Sequence, residues 1–160
     1  MNGCSFTGHR IIPETQAASL EDLVLRAIAY AYAQGCRNFY TGGALGFDTL
    51  CAKQIIRFRM SHPDARFILI LPCKDQAWKW NGRQIEMYEF TLSSADEIIY
   101  VSEEYTPTCM KKRNKSLVDN CDLLIAYVER ERSGAGQTVA MARAAEKQVY
   151  NLFPYVKPKK

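Results

Sequence analysis

The chain has 160 residues, 48% of them hydrophobic, which is the size and composition of one domain that folds without disulfides or bound metal. Its formal charge of +4 is mild, and its 6 cysteines form no CxxC pair or metal-ligand spacing. The N-terminus lacks a signal-peptide pattern, and the longest strongly apolar run, at 67–71, is too short to span a bilayer. We therefore expect a single domain over 1–160 with a basic tail at about 154–160, reduced thiols, a cytoplasmic location, no membrane association, and neither metal nor cofactor.

Segments typical of strands alternate along the chain with segments typical of amphipathic helices. The predicted strands are 4–7, 38–41, 66–71, 97–101, 123–128 and 149–153. A first helix is predicted to begin at a capping box at 19–22 and to end at Gly35, and further helices are predicted at 47–60, from about 82, at 109–120 and at about 136–147. This alternation predicts a Rossmann-like three-layer α/β sandwich with a mostly parallel sheet.

Three turns that contain glycine follow predicted strands, at the edge where parallel α/β sheets bind ligands. They are TGHR at 7–10, GGALGFD at 42–48 and SGAGQT at 133–138. A turn of this kind leaves backbone N–H groups free at the positive end of a helix dipole, which favours an anion, usually phosphate. The predicted ligand-binding residues in these turns are Gly8, His9, Arg10, Gly42, Gly43, Gly46, Asp48, Ser133, Gly134, Gly136 and Thr138. The turns match neither the GxGxxG nor the Walker A pattern, which argues against hydride transfer and ATP hydrolysis by those routes.

Some of these residues have a structural interpretation beside the functional one. His9 is either a ligand contact or a satisfied structural histidine, and Asp48 either receives ribose hydroxyls or caps a helix. Trp78, Trp80 and Tyr105 are placed in loops, where they either stack on a base or pack at the rim.

The motifs together resemble one known family. TGHR, GGALGFD and the series MKKRN…VDNCDLLIAY…SGAGQT are similar to the YpsA-like proteins of the SLOG superfamily, which also contains the DprA/SMF proteins and the LOG phosphoribohydrolases. The resemblance covers about 5–153. It implies a Rossmann-like fold and a nucleotide or nucleotide-derived ligand.

In LOG enzymes an R-K pair and a P-G-G-x-G-T-x-x-E segment form the site that cleaves the N-glycosidic bond of a nucleoside monophosphate. The resemblance puts Arg113 at the arginine, Asn114 at the lysine and Met141 at the glutamate. A thioether neither carries charge nor activates water, so the resemblance implies that binding is kept and hydrolysis is lost. If the chain is an enzyme, Arg113 and Asp48 are its candidate catalytic residues.

We therefore expect a nucleotide-binding protein or sensor without catalysis, and we expect Arg113 to reach an anion held at 133–138. Hydrolysis of a nucleoside monophosphate is the first alternative. Single-stranded nucleic-acid binding ranks last, because basic residues outside 111–115 are scattered. For Arg113 the alternative is a surface ion pair with Glu103 or Glu104. The sequence leaves open whether the protein forms a homodimer.

Overall fold

The computed structural model describes residues 1–158. Within that range the strands are β1 (Gly3–Gly8), β2 (Asn38–Thr41), β3 (Arg66–Leu71), β4 (Glu97–Tyr100), β5 (Leu123–Tyr127) and β6 (Gln148–Asn151). The α-helices are α1 (Ala17–Ala33), α2 (Phe47–Ser61), α3 (Gly82–Ser94), α4 (Cys109–Asp119) and α5 (Gly134–Ala144). All strand pairs are parallel, in the order β4-β3-β2-β1-β5-β6.

Both faces of the sheet are covered. Because successive side chains of a strand point to opposite faces, Leu69 of β3 joins the core beneath α1, α2 and α3, whereas Ile68 and Ile70 pack with Leu117 of α4 on the other face. A second apolar cluster on the α4–α5 side joins Val118 to strand and α5 residues. The predicted Rossmann-like three-layer α/β fold is confirmed, and the sheet is parallel throughout.

One predicted helix start is wrong. α1 begins at Ala17, after a short 3-10 turn at Glu14–Gln16, and Gln16 occupies the N-cap without a side-chain hydrogen bond. Residues 19–22 therefore lie inside the helix, and the Ser19 hydroxyl accepts a hydrogen bond from the backbone N–H of Lys157 at 3.0 Å.

A capping box does occur at the start of α3. The Asn81 side chain accepts from the N–H of Gln84 at 2.9 Å, and the Gln84 side chain accepts from the N–H of Asn81 at 3.0 Å. The start of α5 is also earlier than predicted, because Ser133 caps that helix through the N–H of Gly136.

The structure also bears on the expectations about cysteines, membrane spans, metal sites and the basic tail. The six cysteines are free and buried. In residues 1–158 no helix is both long and apolar enough to cross a bilayer, and no three metal-ligating side chains come together. Of the predicted basic tail, Lys159 and Lys160 lie outside the described residues.

The strand order reverses beside β1. β1 to β4 extend toward one edge of the sheet, while β5 and β6 lie on the other side of β1. At the carboxyl end of this pair Gly8 is in register with Tyr127. The loops after β1 and β5 leave the sheet in opposite directions at such a switch point and form a crevice, which is where open α/β sheets bind ligands.

Candidate functional site

A cavity of about 280 Å³, here called the small cavity, lies at this switch point. Its wall is formed by the loop after β1, the loop after β2, the first turns of α4 and the start of α5. The predicted site residues that line it are Gly8, His9, Arg10, Asp48, Arg113, Ser133 and Gly134. Three turns far apart in the sequence therefore meet with Arg113 at one place.

Arg113 is buried, with 6% of its surface exposed. Its Nη1 donates to the carbonyl of Gly42, and its Nε donates to Oδ1 of Asn114 at 2.8 Å. Within the described part of the chain, Nη2 has only the Met110 sulfur as a partner, at 3.7 Å. No carboxylate oxygen of residues 1–158 lies within 4.0 Å of the guanidinium.

Burial lowers the pKa of Arg113, while the charge of Asp48 acts in the opposite direction. An arginine remains charged even so. A buried charge that lacks a direct counter-ion is costly, and the cost falls when an anion binds beside it. The alternative of a surface ion pair is wrong, because Arg113 is buried and Glu103 pairs with Lys74 at 2.8 Å instead.

Asp48 lies in the first turn of α2 and is also buried. Its Oδ2 accepts a hydrogen bond from the N–H of Ala44 at 3.1 Å, so the carboxyl group braces the glycine turn after β2. The helix N-cap is Gly46 rather than Asp48. Burial raises the pKa of Asp48, and the nearby guanidinium of Arg113 acts against that rise.

Gly42 makes room for both charged groups. A Cβ atom at this position would lie 2.6 Å from Nη1 of Arg113 and 2.9 Å from Oδ2 of Asp48. The close packing of guanidinium, carboxyl group and backbone therefore requires glycine here.

His9 has a structural role at the edge of the small cavity. Its Nε2 accepts from the N–H of Glu129 at 2.8 Å, and the N–H of Arg130 lies 3.4 Å away. An accepting Nε2 requires the neutral ring with its proton on Nδ1. Burial, followed by the positive charge of Arg130, lowers the pKa of His9. The ring thus holds the loop after β5 in place.

The turn before α5 contributes mainly backbone. The Ser133 hydroxyl accepts from the N–H of Gly136 at 3.0 Å and donates to the carbonyl of Arg130 at 2.6 Å. The N–H groups of Gly134 and Ala135 have no partner within residues 1–158, and both residues line the small cavity. These two N–H groups are free backbone donors of the kind that the sequence predicts for this glycine turn.

Two predicted ligand-binding residues of that turn, Thr138 and Gly136, do not line the small cavity. Thr138 is fully buried, and its hydroxyl donates to the carbonyl of Gly134 at 2.9 Å. Gly136 lies against the loop, where a Cβ atom would come within 2.3 Å of the Glu131 carbonyl oxygen.

Gly43 and Gly46 have left-handed φ values of 68° and 78°. A Cβ atom on Gly46 would lie 2.2 Å from the carbonyl oxygen of Arg10, and the N–H of Phe47 donates to the carbonyl of His9 at 3.1 Å. Gly46 therefore lets the turns after β1 and β2 touch.

Gly43 and Gly46 line a second cavity of about 770 Å³, here called the large cavity, between α2, α3 and the turn after β2. Arg10 and Asp48 line both cavities. Most residues that line this cavity were not among the predicted site residues. The spacing of Gln84, Met87, Tyr88 and Thr91 on α3, all of which line it, is nevertheless that of one helix face.

Trp80 lines the large cavity and packs edge-to-face on Tyr88, with ring centroids 5.1 Å apart. Trp78 and Tyr105, by contrast, are exposed and line neither cavity. Arg130, at the wall of the small cavity, was also missed, although its position between β5 and a glycine turn indicates the ligand edge of the sheet.

Solved structures with this fold include DNA processing protein A (DprA) from Streptococcus pneumoniae, with a TM-score of 0.66 at 15% identity over 94% of this chain and 50% of that one. A structure that describes the single-stranded DNA binding mode of DNA processing protein A from Helicobacter pylori has a TM-score of 0.65 at 16% identity, over 92% of this chain and 63% of that one. These identities establish the fold alone.

Two sequence relatives align with most of the chain. The SPbeta prophage-derived protein YoqJ of Bacillus subtilis is 28% identical over 151 residues, which is 86% of this chain and 84% of that protein. A UPF0398 protein of Bacillus thuringiensis is 24% identical over 71% of this chain, and the chain spans only 62% of its length. The family model YpsA, described as the YspA SLOG family, matches residues 14–157, and the chain therefore belongs to this SLOG family.

Proposed function

We propose that the chain binds a nucleotide or nucleotide-derived small molecule, with a phosphate group in the small cavity. The observation that carries this proposal is the guanidinium of Arg113, which is buried beside the cavity with no carboxylate of residues 1–158 within 4.0 Å. A phosphate oxygen is the acceptor that Nη2 lacks, and arginine binds phosphate through parallel N–H donors.

The rest of the wall supports an anion. The N–H groups of Gly134 and Ala135, which have no partner in the described part of the chain, lie at the positive end of α5. Arg10 and Arg130 add two exposed positive charges. Against three arginines the cavity holds one carboxyl group, that of Asp48.

Binding without catalysis is the form of the proposal that we favour. Met141, at the position of the LOG glutamate, packs against the apolar cluster on the α4–α5 side and lines neither cavity. The enzyme alternative rests on Asp48, because this carboxyl group reaches both cavities and has a raised pKa, as a general acid requires.

The test is calorimetric titration with the four common nucleoside 5′-monophosphates and ribose 5-phosphate, followed by chromatography for released base. We expect saturable binding, loss of that binding in Arg113→Ala with an unchanged circular dichroism spectrum, and no free base. Equal affinity of wild type and Arg113→Ala would overturn the proposal. Base release that disappears in Asp48→Asn would establish the enzyme instead.

Single-stranded DNA binding is the second candidate. One support is the fold shared with DNA processing protein A from Helicobacter pylori, for which a single-stranded DNA binding mode is described. The other is a set of exposed basic side chains at or next to the small cavity: Arg10, Arg130, Lys111 and Lys112. Contact with a DNA backbone would make affinity fall steeply with salt. An oligonucleotide that binds at physiological salt while no nucleotide does would establish this candidate.

A further inference from the structure

We infer that the large cavity holds the aromatic heterocycle of the ligand whose phosphate occupies the small cavity, and that the heterocycle stacks on Trp80. This inference rests on the proposed function. It assigns a second subsite, formed by α2 and α3, which none of the glycine turns by itself predicted.

The two cavities are adjacent and share three lining residues, Arg10, Ile11 and Asp48. Arg10 and Asp48 line both of them, so these two side chains stand where the middle of a bound molecule would lie. The volume of the large cavity, about 770 Å³, lies within the range of roughly 300–1,000 Å³ that is common for small-molecule sites. A ligand that occupies both cavities would extend from the start of α5, past Arg10 and Asp48, to α3.

The charges of the two cavities determine which end of the ligand goes where. The small cavity has three arginines against Asp48. The large cavity has three basic side chains, Arg10, Lys53 and Arg83, against three acidic ones, Glu21, Asp48 and Glu86. A balanced set gives no net attraction for an anion, so the phosphate is directed to the small cavity and the neutral end of the ligand to the large one.

The side chains of the large cavity suit a flat apolar ring. Leu50 of α2 and Met87 and Tyr88 of α3 contribute apolar and aromatic surface, and Gln84 can donate to or accept from ring substituents. The edge-to-face contact with Tyr88 restricts the indole ring of Trp80 before a ligand binds. Stacking of a ligand on this ring therefore costs little additional side-chain entropy.

The experiment uses tryptophan fluorescence, because the chain has 2 tryptophans and only Trp80 lines the cavity. Wild type, Trp80→Phe and Trp78→Phe are titrated with the four nucleoside 5′-monophosphates and with ribose 5-phosphate. We expect at least one nucleotide to quench the wild type and Trp78→Phe, but not Trp80→Phe. Ribose 5-phosphate is expected to bind by calorimetry without quenching.

Affinity supplies the second measurement. Trp80→Ala should weaken nucleotide binding about five- to 160-fold, the equivalent of the roughly 1–3 kcal/mol of base–aromatic stacking, and leave ribose 5-phosphate affinity unchanged. Trp78→Ala, at a side chain that is 72% exposed, is the matched control and should change neither affinity. If ribose 5-phosphate binds and no nucleotide binds more tightly, the inference is wrong while the proposed function stands. If nothing binds, both are wrong.

Discussion

Arg113 donates a hydrogen bond from Nη1 to the backbone carbonyl of Gly42, which lies 71 residues earlier in the chain. The bond joins α4 to the glycine turn after β2. Because a carbonyl rather than a carboxylate orients the guanidinium, the positive charge of Arg113 is fixed in place, and no ion pair within the described residues neutralises it directly. The arrangement therefore leaves the arginine available to an anion.

The first prediction concerns Gly42. Gly42→Ala should weaken binding of a phosphate ligand at least tenfold, because the new methyl group would meet Nη1 of Arg113 at 2.6 Å and displace it. Gly82→Ala is the control, since a Cβ atom there meets nothing within 4 Å. Calorimetric titration of both variants, with circular dichroism to verify folding, measures the difference. Unchanged affinity in a folded Gly42→Ala protein would show that the position of Arg113 does not matter.

The second prediction separates Arg113 from its exposed neighbour Lys112. Arg113→Ala should cost about 1.5–3 kcal/mol of phosphate-ligand binding, the usual contribution of a hydrogen bond to a charged group. Lys112→Ala should cost much less, and its effect should fade as salt rises, because the charge of an exposed lysine is screened. Titration at low and high ionic strength distinguishes the two. Similar, small and salt-sensitive losses in both variants would remove Arg113 from the site.

The third prediction concerns the stability contributed by His9. Because the folded chain lowers the pKa of His9 below its ordinary value of 6.5, the unfolded chain binds the proton more tightly. Stability should therefore fall as pH decreases from above 6.5 toward the lowered pKa. His9→Gln, whose side-chain oxygen can accept the same N–H, should have a flatter profile of melting temperature against pH. His62→Gln is the matched control at the other histidine, and a profile as flat as that of His9→Gln would contradict the prediction.

The fourth prediction uses sulfate as a probe of the small cavity, because its charge does not change between neutral and mildly acidic pH. Burial raises the pKa of Asp48 above its ordinary value, so protonation as pH falls toward that raised pKa removes a negative charge next to the anion. Sulfate affinity should increase as pH falls in the wild type. Asp48→Asn should bind sulfate more tightly at neutral pH and have a weaker pH dependence. An identical pH profile for both proteins would place the anion away from Asp48.

Local patterns were sufficient to predict the order of strands and helices. The apolar run at 67–71 indicates a strand buried on both faces, and in β3 these five residues are buried. Glycine turns are equally local signals, since the positive φ values of Gly43 and Gly46 favour glycine whatever surrounds them. The family resemblance added the expectation that Arg113 reaches a bound anion, which stays a prediction.

The tertiary structure decided what these residues do. Whether Arg113 has a counter-ion, whether His9 donates or accepts, and whether Thr138 faces a ligand or the helix backbone all depend on groups distant in sequence or on helix position. The start of α1 was mispredicted because a 3-10 turn at Glu14–Gln16 leads directly into the helix, so the capping-box pattern at 19–22 lies inside α1 and not at its start. The large cavity exists because α3 packs against α2, and side chains that are unremarkable in the sequence become neighbours only when the helices meet. The sequence by itself therefore determined the fold and the edge of the sheet at which the candidate site lies, since these follow from local periodicity and backbone conformation. Charge pairing and cavity shape required the folded chain, because they arise between residues that only tertiary packing brings together.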